Sequence, residues 1–249
     1  MGDKNVLLIS KASEMFEASN RRTFFKLMAA GGAVVLLPSM LAGCDSPSGT
    51  GLNGTSGNGN TATIDFSAGD TAILQFAYVL EQLEADFYTR VVAAFSGSNL
   101  TTADQAVLSD ISYHEVIHRD FLQTVLGSNA TNLTITTVYP GVNFSDRTSV
   151  LTTAQTYEFL GVAAYNGAGQ YISSATYLTL AGKIVSVEAR HASAISDLIT
   201  PNSGSFAPRT FENADKPATV AAAAQTYITQ TLTFKNAPTT FAQGPNNNG

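Results

Sequence analysis

Four stretches of the chain carry apolar residues at three- and four-residue steps, the spacing that lines one face of an α-helix. In the first, Ile73, Ala77, Leu80, Tyr88 and Val91 keep this rhythm, and Glu81 and Glu84 fall in the same stripe. The second runs through Ile111, Glu115, His118, Leu122 and Val125. The fourth repeats it with Ile184, Glu188, His191, Ile195 and Leu198. The third stretch follows Ala154, Glu158, Gly161, Tyr165, Ala168 and Ile172, a weaker pattern because of its glycines. The pattern predicts four helices whose ionisable residues point where their hydrophobic residues point.

Caps and breakers set the expected ends. Ser67 or Asp70 suits the start of the first helix, Thr101 or Thr102 the second, and Thr152 or Thr153 the third. Ser96-Gly97-Ser98 separates the first two helices, and Gly127-Ser128-Asn129 ends the second. Residues 127–151 read as an extended crossover, with a short strand at Thr134–Val138. The link from the third helix to the fourth is short, near Ser173 to Tyr177. An alanine-rich run, Ala218 to Thr231, predicts a fifth helix, and the tail from Pro238 is Gly, Pro and Asn.

Acidic residues inside an apolar stripe are a physical problem. A buried carboxylate without a partner costs several kcal/mol and takes up a proton instead. Here the residues form pairs: Glu115-x-x-His118 and Glu188-x-x-His191, each preceded by a lone acid, Glu81 and Glu158. Each lone Glu has a Tyr seven residues later, Tyr88 and Tyr165. The chain has three histidines in 249 residues, so two Glu-x-x-His pairs at matching points of two similar segments are hard to assign to chance. Two lone Glu and two Glu-x-x-His pairs make the ligand set of a carboxylate-bridged dinuclear metal site in a four-helix bundle. A dication shared among those acids removes the cost of burying them.

The chain's ends bear on location. Asn20-Arg21-Arg22-Thr23-Phe24-Phe25-Lys26 leads into an apolar run from Leu27 to Leu41, broken by Gly31-Gly32 and Pro38. This fits an export signal better than a membrane span. The paired arginines resemble a twin-arginine signal, with Asn20 where Ser is usual and Phe25 where Leu is common. Leu41-Ala42-Gly43-Cys44 resembles a bacterial lipobox, which implies cleavage before Cys44 and its acylation. Cys44 is the sole cysteine, which excludes an internal disulfide. The expected organisation is a lipoprotein signal at 1–43, a flexible tether at 44–65, a bundle at 66–200, and a C-terminal helix and tail at 201–249. Residues 1–43 hold five of the 13 basic and three of the 19 acidic side chains, leaving 8 against 16. That acidic balance argues against nucleic acid as a partner and against polybasic membrane contact.

Four strings carry a family resemblance: Leu80-Glu81-x-x-Glu84-Ala85-x-Phe87-Tyr88, Glu115-x-x-His118-x-x-Phe121-Leu122, Gly161-Val162-x-Ala164-Tyr165-x-Gly167-Ala168 and Val187-Glu188-Ala189-Arg190-His191. In this order and spacing they resemble the bacterial exported ferritin-like domain proteins, some of desiccation-related type. The resemblance implies an all-α, ferritin-like four-helix bundle with one long crossover, to which the chain adds its C-terminal helix. It implies Glu81, Glu115, His118, Glu158, Glu188 and His191 as ligands of two metal ions, iron first and manganese as the alternative. The expected partners are a small oxidant or Fe(II), and a bacterial membrane held through acylated Cys44 on its periplasmic or envelope side. An oligomer stays open. So does the reaction, because the fold hosts several. A di-iron oxidase or ferroxidase leads, beside a non-catalytic envelope stress protein with a structural metal and a manganese catalase-like enzyme.

The neighbours of the six have open roles. Glu84 fits either an additional acid at the site or a partner for a base such as Arg190. Tyr88 and Tyr165 fit core aromatics, hydrogen-bond donors to the ligand carboxylates, or a redox role beside an oxidising metal. His114 sits about 100° around the helix from Glu115, which places it at the surface or rim. Gly161 and Gly167 are expected to permit close helix packing.

Overall fold

The computed structural model describes residues 61–130 and 133–239. The expected signal at 1–43, Cys44, most of the expected tether and the last ten residues of the tail lie outside them. Four long helices form: α1 (Asp70–Ala93), α2 (Thr102–Leu126), α3 (Arg147–Gly169) and α4 (Ala175–Ile199). Helix α1 packs along α2, and α3 along α4. The crossover between α2 and α3 lets the two hairpins face each other.

The ends differ from the sequence reading in instructive ways. Thr101 caps α2 as expected, in a capping box where Asp104 answers the Thr101 backbone N–H. Neither Ser67 nor Asp70 caps α1. Gly69, at φ +60°, precedes the helix, and the Asp70 carboxylate instead accepts the N–H groups of Ser173 and Ser174, each at 2.8 Å. Asp70 therefore ties the α3–α4 link to the start of α1. Helix α3 begins five residues before Thr152, because Asp146 accepts the Ser149 N–H at 2.8 Å and caps there. The expected strand at Thr134–Val138 reduces to a single antiparallel bridge from Thr137 to Ile228. Gln82, on α1, takes the crossover's backbone groups instead, donating to Leu133 O at 2.9 Å and accepting from Ile135 N at 3.2 Å.

The largest corrections concern the segments flanking the bundle. Thr61–Asp65, read as the end of the tether, is strand β1. It pairs in parallel with β2 (Thr231–Lys235), in register Thr61 to Thr231. The fifth helix, α5 (Pro217–Gln225), stops well before Thr231. Gln225 explains the stop: its amide donates to the carbonyls of Ile228 and Gln230 and accepts from Leu232 N–H at 2.8 Å. That side chain turns the backbone from helix to strand.

The core runs between the four helices, with Phe87, Leu108, Leu122, Leu151 and Ile195 buried. Each such side chain contributes about 1.5–3 kcal/mol on leaving water. Phe87 stands edge-on to Tyr88 and Tyr157, with ring centroids 5.1 and 5.0 Å away. These rings help fix the rotation of α1 and α3, and so the direction of Glu84, one turn before Phe87, and of Glu158, next to Tyr157. Among the described residues no helix is long and apolar enough to cross a membrane.

Candidate metal centre

The bundle axis delivers the six predicted residues to one place. Glu81, Glu115, Glu158 and Glu188 are fully buried, one from each helix. His118 and His191, three residues after Glu115 and Glu188, stand one turn along α2 and α4. His118 Nδ1 lies 2.9 Å from Glu188 Oε1 and 3.5 Å from both Glu81 Oε2 and Glu115 Oε2. His191 Nδ1 lies 2.9 Å from Glu115 Oε1, 3.4 Å from Glu158 Oε2 and 3.7 Å from Glu188 Oε2. Two overlapping groups result: Glu81, Glu115, His118 and Glu188, and Glu115, Glu158, Glu188 and His191. Within each, one donor atom per residue lies within 4.8 Å of the others. Glu115 and Glu188 belong to both.

What these atoms lack is as informative as what they touch. Both oxygens of Glu115 and of Glu188, Glu81 Oε2, Glu158 Oε2 and both histidine Nδ1 atoms are buried without a hydrogen-bond partner. Their short separations do not meet hydrogen-bond geometry. Native interiors rarely leave buried polar atoms unpaired, and eight in one cluster is far above the usual few. Cations in that space would give these atoms partners, so the donor set fits metal ions.

The outward oxygens are held. Tyr88, on α1, donates its hydroxyl to Glu158 Oε1 on α3, and Tyr165, on α3, donates to Glu81 Oε1 at 2.5 Å. The two tyrosines thus cross between the helices, each orienting the lone glutamate of the other. This settles their role as donors to the site carboxylates, within the core. Burial, with the facing carboxylate, pushes both phenols well above their ordinary range, so they stay protonated donors.

The electrostatics are those of crowded acids. Burial pushes Glu115 up to about 8, helped by the charge of Glu188, and pushes Glu158 up to about 7. Burial also acts against Glu188, but its contacts with His118 and His191 outweigh that and hold it at about 2. Burial would lower both histidines; the carboxylates, led by Glu158 for His191 and by Glu81 for His118, overcome it. They push His191 up to about 12 and His118 upward as well. Free of cations, the cluster holds its charge balance with protons.

Two residues gain definition beyond the sequence reading. Glu84 is buried, and burial plus the four surrounding carboxylates push it well above the usual range. It is an acid at the rim of the cluster, and no ion pair with Arg190 forms among the described residues. Gly161 makes room for it: a Cβ there would lie 3.1 Å from Glu84 Oε1 and 3.7 Å from Glu188 Oε2. Its role is to admit carboxylates, where close helix packing was expected. His114 was expected at the surface or rim. It does reach solvent, yet its Nδ1 lies 2.8 Å from His191 Nε2, with the two ring planes within 10° of each other, so the imidazoles meet edge to edge. A stepwise count around α2 cannot show this contact, because His191 comes from another helix.

The sequence profile of the ferritin-like domain matches residues 69–201, more than half of the chain. The chain belongs to the ferritin-like domain family. Its match spans α1 to α4 and ends where the bundle ends, so β1, α5 and β2 are additions to the ferritin-like core. No curated protein matches the chain.

Proposed function

We propose that this ferritin-like domain holds two metal ions, iron ahead of manganese, and reacts with dioxygen, peroxide or Fe(II) outside the cytoplasm. The observation that carries the reading is the cluster of eight buried, unpartnered donor atoms on six residues from four helices. One ion would be held by Glu81 and His118, the other by Glu158 and His191, with Glu115 and Glu188 facing both. Bound iron would supply the electrons for reducing an oxidant. The protein's share is to hold the carboxylates in place from behind through Tyr88 and Tyr165, and to keep bulk water out of a site whose acids are fully buried. Iron is preferred because four carboxylates suit a hard ion, while two imidazoles keep it from being calcium-like.

The sequence of the first 44 residues supports export by a twin-arginine route and anchoring through acylated Cys44. Such export carries folded protein, so a metal chosen in the cytoplasm would be kept. The Gly-, Ser-, Thr- and Asn-rich composition before β1 suits a tether to such an anchor. Wild-type protein should fractionate with membranes, and Cys44→Ser should stay unprocessed or become soluble. A mature N-terminus elsewhere, without lipid, would remove the anchor and leave the metal reading intact.

Metal analysis tests the site. Protein produced with iron should hold about two metal ions per chain, and the Glu115→Ala/Glu188→Ala double variant should lose most of both. Full retention in that variant would sink the assignment. An iron-loaded protein inert towards dioxygen and peroxide would turn the centre into a structural staple.

A further inference from the structure

The core layer directly beside the acids borders a narrow apolar cleft. Ala77 lies one turn before Glu81, Ile184 one turn before Glu188, Leu122 one turn after His118, and Tyr165 two turns after Glu158. These four positions form the next layer of the bundle, and all four line one narrow cleft. From there the cleft continues outward between the ends of the four helices, past Ala168 and Ala181. No charged residue lines it, and its exposed surface is almost wholly apolar. Close-packed interiors leave few such gaps, and a void in a core layer costs stability.

The cleft's inner wall is Tyr165, the residue whose hydroxyl is bonded to Glu81 Oε1 at 2.5 Å. An apolar passage that stops one side chain from a carboxylate of the centre suits an uncharged, nonpolar molecule of a few atoms. Fe(II) would lose its hydration there without replacement, and hydrogen peroxide would lose its hydrogen bonds. We infer that this cleft is a dioxygen site and the route by which dioxygen reaches the buried centre. The inference rests on the di-metal reading for its purpose, and selects dioxygen among the oxidants that reading allows. The small side chains at Ala168 and Ala181 keep the passage open.

Xenon, an apolar atom of similar size, probes the cleft without any metal, because dry apolar cavities take it up. Under xenon pressure the protein should bind xenon between Ala77, Leu122, Tyr165 and Ile184, seen in crystals or by xenon NMR. Ala181→Phe and, separately, Ala168→Phe should displace it. In the iron(II)-loaded protein the same variants should slow dioxygen consumption about tenfold, with iron content and the centre's optical spectrum unchanged. No xenon in the wild type would overturn the inference, as would full-speed dioxygen consumption in variants that exclude xenon. A protein that binds xenon there but holds no metal would overturn the preceding functional reading while leaving the apolar site in place.

Discussion

His114 Nδ1 lies 2.8 Å from His191 Nε2, on the far side of the imidazole whose Nδ1 faces the acids. Among the described residues no imidazole hydrogen-bonds to the outer nitrogen of His118, whose Nδ1 faces the carboxylates of Glu81, Glu115 and Glu188. The two halves of the centre are therefore built differently.

A ligand histidine oriented by a partner on its second nitrogen binds metal more tightly, typically by 10–100-fold. With Nδ1 bare for a metal, His191 carries its proton on Nε2 and donates it to His114 Nδ1. His114→Ala should weaken one of the two metal-binding steps by about tenfold or more and leave the other nearly unchanged. His114→Gln, which restores an acceptor, should recover part of the loss. A metal titration that resolves two steps checks this; an equal loss at both would show that His114 acts on the bundle as a whole.

Metal uptake should release protons. Without metal at pH 7 both histidines are protonated, and Glu115, pushed up to about 8 by burial and by Glu188, holds a proton as well. Each must give it up before its donor atom can ligate, and Glu158, at about 7, is about half protonated, so uptake at pH 7 should release roughly three protons per chain. The affinity therefore rises with pH, and the release shrinks once pH passes about 8 and Glu115 is already ionised. Calorimetry in buffers of different ionisation enthalpy measures the number directly. Zero release at pH 7 would mean that the donors do not act together.

Much of this centre was legible because its signal is local. Glu115-x-x-His118 and Glu188-x-x-His191 are set by one turn of helix, and the lone Glu81 and Glu158 share a repeat with their tyrosines. What stayed hidden depends on partners distant in the chain. The tyrosines were placed on the correct face, but their exchange, Tyr88 to Glu158 and Tyr165 to Glu81, needs the two hairpins docked. Strand β1 was read as tether because Thr61–Asp65 gains its order from β2, about 170 residues away. Asp146 and Thr152 are equally good caps by residue type, and the apolar stripe does not decide between them.

The start of α2 gives a pH test. Asp104 is buried and joins the capping box to Arg147, whose Nε and Nη2 donate to it at 2.8 and 2.9 Å. Burial alone would raise this carboxyl, but the hydrogen bonds from Arg147 and Thr101 win and hold it below its ordinary 3.8. A depressed folded-state value means stability that is present above the unfolded value and lost as pH falls through the folded one. Asp104→Asn should therefore cost about 2 kcal/mol at pH 7, less than for a fully buried pair because Arg147 is one-third exposed. Below about pH 3.8 the gap to wild type should begin to narrow, and it should vanish once pH has fallen past the depressed folded-state value, where the wild-type carboxyl is protonated too. Denaturant melts of both proteins across that range check it. A constant gap would assign the loss to packing.

Two glycines in helices should respond to alanine with opposite signs. Gly167, near the end of α3, was expected to let helices approach, but what approaches is the chain before α5. A Cβ at 167 would lie 2.0 Å from the Asp215 carbonyl oxygen, and Asp215 N–H is anchored to Ala163 O at 2.9 Å. A backbone segment cannot yield as a flexible side chain does, so Gly167→Ala must push it off α3 and break that bond. The expected loss is about 2 kcal/mol, a fall in Tm of about 4–8 °C. Gly182 lies inside α4, exposed, with nothing within 4 Å of an added Cβ. There alanine only restricts the unfolded chain and favours the helix, so Gly182→Ala should gain about 1 kcal/mol. Thermal melts of the two variants against wild type decide the matter. If Gly167→Ala proved neutral, the docking of the Asp215 segment on α3 would be looser than its hydrogen bond to Ala163 indicates.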